Sequence, residues 1–101
     1  MAHRLIRYRT RTEQGDANQA LIEAVFAELR SQQPEGFRYL VLRAPGDTFL
    51  HLVTVEPGKD TASLTSLPSF REFQRELSER CVEQPVPGEV TIVGNHRMLL
   101  P

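Results

Sequence analysis

Two neighbouring segments, FRYLVLRA (37–44) and TFLHLVTVE (48–56), carry apolar side chains at consecutive positions instead of alternate ones. A strand with one face in water alternates apolar and polar residues, because successive side chains point to opposite faces. Here Tyr39, Leu40, Val41 and Leu42, then Phe49, Leu50, Leu52 and Val53, make both faces apolar. Pro45, Gly46 and Asp47 between the segments form a short turn, so the pair reads as a hairpin. Any fold open to this chain has to cover that hairpin on two sides.

The flanking segments supply cover for one side. RLIRYRTR (4–11) alternates strictly, with Leu5, Arg7, Arg9 and Arg11 on one face and Ile6 and Tyr8 on the other, which predicts a first strand. Asp16 with Gln19 three residues later resembles a capping box, and Leu21, Ile22, Val25, Phe26 and Leu29 then recur at helical spacing. Pro34 and Gly36 end that helix. After the hairpin, SLPSFREFQREL (66–77) predicts a second helix with Ser66 as cap and Pro68 in the first turn, and with Phe70, Phe73, Leu77 and Cys81 as its inward stripe. QPVPG (84–88) breaks the chain, and EVTIVGNHRM (89–98) is the expected last strand.

The order is β-α-β-β-α-β in a single domain spanning 1–101. It predicts an α+β, ferredoxin-like fold, a four-stranded antiparallel sheet with two helices on one face. The second sheet face is then left apolar with no segment to cover it. A second copy of the chain is the expected cover, two sheets packing face to face as a homodimer.

Net charge at pH 7 is −1, which gives no general attraction to nucleic acid or anionic membranes. The single cysteine, Cys81, permits no internal disulfide. The start, MAHRLIRYRTR, has no apolar core of a signal peptide, and no apolar run reaches the roughly 18 residues of a membrane span. The expected location is therefore the cytoplasm.

With this layout the chain resembles the dimeric α+β barrel superfamily, in particular the antibiotic-biosynthesis-monooxygenase-like proteins. The resemblance covers nearly the whole chain: a first strand ending in TRTEQG, a helix, the hairpin, and the SFREF helix before a final strand. It implies a pocket between sheet and helices. It also implies either of two chemistries, cofactor-independent quinone formation or haem degradation. The haem-degrading branch uses an asparagine on the first strand, a tryptophan ahead of the second helix and a histidine within it. Tyr8, Leu64 and Gln74 stand at those positions, so haem degradation is not expected, nor is any cofactor.

Tyr8 and His51 are the candidate catalytic residues. Tyr8 shares a strand face with Ile6 and Thr10, which the resemblance turns towards the helices; it is either a core tyrosine or a hydrogen-bond donor to a ligand. His51 interrupts the apolar run FLHLV, where burial would leave a neutral imidazole able to act as a base near pH 7. The turn allows more than one register, so His51 faces either the helices or the second sheet face. The expected pocket lining is Phe26, Leu64, Phe70, Phe73 and Gln74. Arg7, Arg9 and Arg11 read as a solvated row or as partners of acidic residues, and they are too few for a nucleic-acid surface. His3, His51, His96 and Cys81 lie on separate elements, so no metal site is expected. Two functions remain open: a monooxygenase-like enzyme on an aromatic or polyketide-like compound, and a non-catalytic dimeric module that binds a small aromatic ligand or acts as a scaffold.

Overall fold

A computed structural model describes residues 1–98. Among these, the elements in order are β1 (Ala2–Thr10), a 3-10 turn (Thr12–Gln14), α1 (Gly15–Gln32), β2 (Phe37–Ala44), β3 (Thr48–Val55), the short helices α2 (Ala62–Thr65), α3 (Pro68–Gln74) and α4 (Leu77–Arg80), and β4 (Cys81–Glu89). The strands pair antiparallel in the order β2-β3-β1-β4, the ferredoxin-like arrangement that the sequence predicts. The hairpin boundaries fall where the turn residues place them.

Register assigns the faces. His51 lies opposite Ile6 on β1 and Val41 on β2, and Phe49 lies opposite Tyr8, so these side chains share the helix side of the sheet. Tyr8, Phe49 and His51 are buried there, under Ile22 and Val25 of α1 and under Leu64, Leu67, Phe73 and Leu77 of the second helical region. The ambiguity over His51 is thereby resolved: it belongs to the core. Leu42 lies opposite Leu50, and Leu40 opposite Leu52, on the other face. Leu40 and Leu42 remain 39% and 53% exposed, so that part of the face is apolar and open among the described residues, whereas Thr54 at its other end is buried and Met98 lies beside Leu40 and Leu52. Arg7 and Arg9 share that face, and both bond to Glu83 of β4 at 3.2 Å.

Five local expectations are corrected. The last strand is Cys81–Glu89, not 89–98, and residues 90–98 form no regular element. Pro85 and Pro87 suggested a break, but β4 is an edge strand, where a missing N–H costs no ladder bond on the solvent side. Cys81 consequently opens β4 instead of closing a helical stripe.

The single helix expected from Ser66 is two short ones, α3 and α4, because Arg75 turns extended and Glu76 takes the left-handed conformation (φ 60°); α2 lies ahead of it. Ser66 does not cap α3. Its role falls to Glu28 of α1, whose carboxylate accepts from the Ser69 backbone N–H (3.0 Å) and hydroxyl (2.6 Å). Asp16 and Gln19 do not form a capping box either. Both accept from Arg43 of β2, which also bonds Asp47 at 2.6 Å and ties the hairpin to the start of α1. A side chain on Gly15 would collide with that Arg43–Asp47 pair, so the helix can begin there only with glycine or with a shift of the pair.

The break at Glu76 is directly testable. A non-glycine residue in the left-handed region costs roughly 1–2 kcal/mol in backbone strain. Glycine relieves that strain and gives some of it back as entropy of the unfolded chain. Glu76→Gly is expected to raise the urea midpoint, with a gain of up to about 1 kcal/mol, whereas β-branched Glu76→Val lowers it.

Candidate functional site

Beneath α3 lies a cavity of about 120 Å³. Tyr8, His51, Leu64, Phe70, Phe73 and Gln74 line it, as does Tyr39. The sheet supplies the polar floor and the helices the apolar roof, and the two phenylalanine rings meet at 5.8 Å. Phe73 is 2% exposed and stacks on His51 (5.4 Å), whereas Gln74 is exposed at the rim. Phe26 stands apart from this cavity: it stacks on the outer side chain Tyr39 (5.1 Å, 15°) and lines a separate groove. That groove, between α1 and β2, is wider at about 550 Å³, but its main cation, Arg43, is committed to Asp16, Gln19 and Asp47. No buried polar cluster faces it among the described residues.

The floor holds a chain of hydrogen-bonded side chains. Tyr39 Oη is 2.6 Å from His51 Nδ1, and His51 Nε2 is 2.8 Å from Tyr8 Oη. Asn18 Nδ2 donates to Tyr8 Oη at 2.9 Å, and Arg80 Nε donates to Asn18 Oδ1 at 3.1 Å. Arg80 finishes its coordination on backbone, donating to the carbonyls of Arg75 (2.9 Å) and Phe73 (2.6 Å). Five residues from five elements are thereby linked. Tyr39, Asn18 and Arg80 are absent from the sequence-based list. Asn18 left a signal, being a polar residue at the i−4 and i−7 positions of the buried stripe Ile22 and Val25. Arg80 left none, because its partners are two backbone carbonyls and an amide 62 residues away in sequence.

Burial sets the protonation of the chain. It pushes His51 down to about 4, so the ring is neutral at pH 7. It pushes Tyr8 up, partly offset by the Asn18 bond, and pushes Tyr39 up, with the neighbouring Tyr8 adding to the effect. Both hydroxyls therefore stay protonated. Each His51 nitrogen is engaged by a tyrosine, so the imidazole reaches a ligand through Tyr39 and not as a free base. Cys81 is buried and its thiol is pushed up by burial, which suits an inert core group. Among the described residues no three His, Cys, Asp or Glu side chains converge as a metal site would need, and no helix is long and apolar enough to cross a membrane.

The neutral imidazole makes stability depend on pH. In the unfolded chain the ring binds a proton near pH 6.5, but in the folded protein only near pH 4. Between those values the unfolded state holds more protons, so stability is full above pH 6.5 and falls as the pH drops through the window. The expected loss from this group is about 3 kcal/mol by pH 4. Urea unfolding from pH 7 to pH 4 measures it, and His51→Gln should flatten that part of the profile.

No protein-family model matches the sequence, and no curated protein does either. Solved structures do. A candidate antibiotic biosynthesis monooxygenase of Bacteroides thetaiotaomicron superposes with a TM-score of 0.75 at 11% identity, covering 98% of this chain and 95% of its own. One of Nitrosomonas europaea gives 0.72 at 11% identity, with 91% and 89% covered. Those two carry the fold alone. A candidate antibiotic biosynthesis monooxygenase of Chloroflexus aurantiacus is 30% identical, with 95% of this chain and 97% of that one covered and a TM-score of 0.59. At that identity over nearly the whole of both chains, the protein belongs to the antibiotic biosynthesis monooxygenase family, within the dimeric α+β barrel superfamily.

Proposed function

We propose that the protein is a homodimeric, cofactor-independent monooxygenase acting on the phenolic end of an aromatic or polyketide-like compound. The observation that carries this reading is the convergence of a buried polar chain on an apolar cavity, the usual composition of a site that orients a small ligand. The volume, about 120 Å³, equals about four water molecules of liquid, so only the oxygen-bearing end of a larger compound is held within it. The reaction needs no outside reductant. A phenol and dioxygen give a quinone and water, one oxygen atom entering the ring and the other leaving as water.

A second reading has its own support. With both His51 nitrogens engaged and no free base at the cavity among the described residues, the site also suits a binding module that does no chemistry. Oxygen uptake separates the two. Phenols and naphthols that raise the melting temperature should also drive oxygen consumption with a quinone product. Stabilisation without uptake would leave the binding module, and no stabilising compound would remove the pocket from function.

The second copy covers the open sheet face. Leu40 and Leu42 are exposed there, Val86 opposite Arg7 is 68% exposed, and Met98 lies beside Leu40 and Leu52. Arg7 and Arg9 are already paired with Glu83, so burying that corner strands no charge. Sedimentation at micromolar concentration should give about 23 kDa, twice the 11.5 kDa chain. Leu42→Asp should dissociate the dimer, and because a small obligate dimer has little stability as a monomer it should lower the melting temperature too. A wild-type monomer would refute the assembly.

A further inference from the structure

The hydrogen-bond chain under α3 has a direction, and one residue sets it. A guanidinium only donates, so the amide oxygen of Asn18 faces Arg80 and the amide nitrogen is left for Tyr8. Tyr8 Oη therefore accepts from Asn18 and must place its own hydrogen, for which His51 Nε2 is the neighbour. A hydrogen on Nε2 would make Tyr8 accept twice and strand its hydroxyl hydrogen in a side chain that is 1% exposed. Nε2 is thus the acceptor. Nδ1 carries the ring hydrogen and donates to Tyr39 Oη. The hydroxyl hydrogen of Tyr39 then has no acceptor among the described residues, and Tyr39 lines the cavity.

Every donor in the series runs from Arg80 towards the cavity. Arg80 has no carboxylate within 4.0 Å among the described residues. Glu72, Glu76 and Glu79, with Arg11 and Arg75, line the groove on its outer side. The Cys81 thiol is the titratable neighbour of Tyr8 from β4, and α1 presents Asn18. The positive end of the chain is therefore fixed, and its far end offers a hydrogen to whatever enters.

We infer that the cavity takes a hydrogen-bond-accepting, negatively charged oxygen, a phenolate or enolate, with Tyr39 as the donor that touches it and Arg80, Asn18, Tyr8 and His51 as positioning residues. This rests on the pocket reading above and adds the ionisation state in which the ligand is held. It also gives Arg80 a task at a distance, since it acts on the ligand only by fixing which way the intervening hydrogens point.

Asn18→Asp tests the direction with almost no change of shape. The new carboxylate accepts from both Arg80 and Tyr8, so Tyr8 turns its hydrogen away from His51, Nε2 becomes the donor, and Tyr39 donates to Nδ1. Nitrogen-15 NMR of the histidine-labelled protein at neutral pH should find the His51 hydrogen on Nδ1 in the wild type and on Nε2 in Asn18→Asp. A wild-type hydrogen on Nε2 would overturn the inference whatever binds. For the ligand, 4-nitrophenol serves as probe, since its neutral and ionised forms absorb differently. Wild type should bind it as the phenolate, with its ionisation shifted about tenfold or more towards the anion. Tyr39→Phe should abolish the shift and Asn18→Asp reverse it. Binding of the neutral phenol by wild type would overturn this inference alone, whereas no binding by any of the three proteins would overturn the pocket reading with it.

Discussion

A buried guanidinium has to find acceptors, and the acceptors that Arg80 finds hold the structure together around the site. Arg80 is 8% exposed. Two of its bonds go to the carbonyls of Phe73 and Arg75, groups that the end of α3 leaves without helical partners. A cation there also complements the negative end of the helix. The third bond goes to Asn18 on α1, and Asn18 in turn holds Tyr8 on β1. One side chain thus ends α3, positions the first turns of α1 and reaches the sheet. It also lies over the ring of Phe73 (5.7 Å), which fixes the roof of the cavity. The break at Glu76 is what lets α4 bring Arg80 back beneath α3.

The hairpin imposes the complementary constraint. With apolar residues on both faces, β2 and β3 can occupy only a layer that is covered twice. The helix side is covered within the chain, and the tip is pinned by Arg43 to Asp16, Gln19 and Asp47. The open side presents Leu40, Leu42, Leu50 and Leu52. Exposed apolar area of this kind on a small domain marks an interaction surface. The site and the open face use alternate residues of the same strands, since Tyr39 and His51 point one way and Leu40 and Leu52 the other. A partner seated on the open face would therefore rest on the same strands that carry the site.

The parts legible in the sequence are those with local causes. Strict alternation marked β1, helical spacing marked α1, and Pro45-Gly46-Asp47 set the hairpin ends. The element order then gave the sheet, and the family resemblance turned Tyr8 towards the helices. Other features depend on distant partners. The face of His51 depends on strand register, because a slip of one residue inverts it. The helix break depends on carbonyls that Arg80 captures. β4 was hidden because Pro85 and Pro87 speak against a strand until its edge position is known. Apolar alternation at Val90 and Ile92 then offered a false substitute. Six of the seven expected site residues converge on the cavity. Of the polar chain behind them only Asn18 left a mark, on the buried stripe of α1, because its bond to Arg80 has no sequence period.

The geometry also constrains what kind of catalysis this floor could provide. A base strong enough to ionise a phenol at neutral pH would need a free lone pair and a higher proton affinity than His51 has with its value near 4. What the site has is an oriented donor at the edge of a water-poor space, roofed by Phe70 and Phe73. A single preorganised donor aimed at a developing oxyanion is worth about 10²–10³ in rate where it has been removed from other enzymes. That magnitude, about 3–4 kcal/mol, lowers the cost of holding the ring oxygen ionised. It also explains why a neutral histidine belongs in the chain. A charged imidazolium would donate from both nitrogens, reverse the bond to Tyr8 and leave that tyrosine's buried hydrogen without an acceptor. By keeping His51 neutral, burial preserves the one direction of the chain that ends in a donor at the cavity.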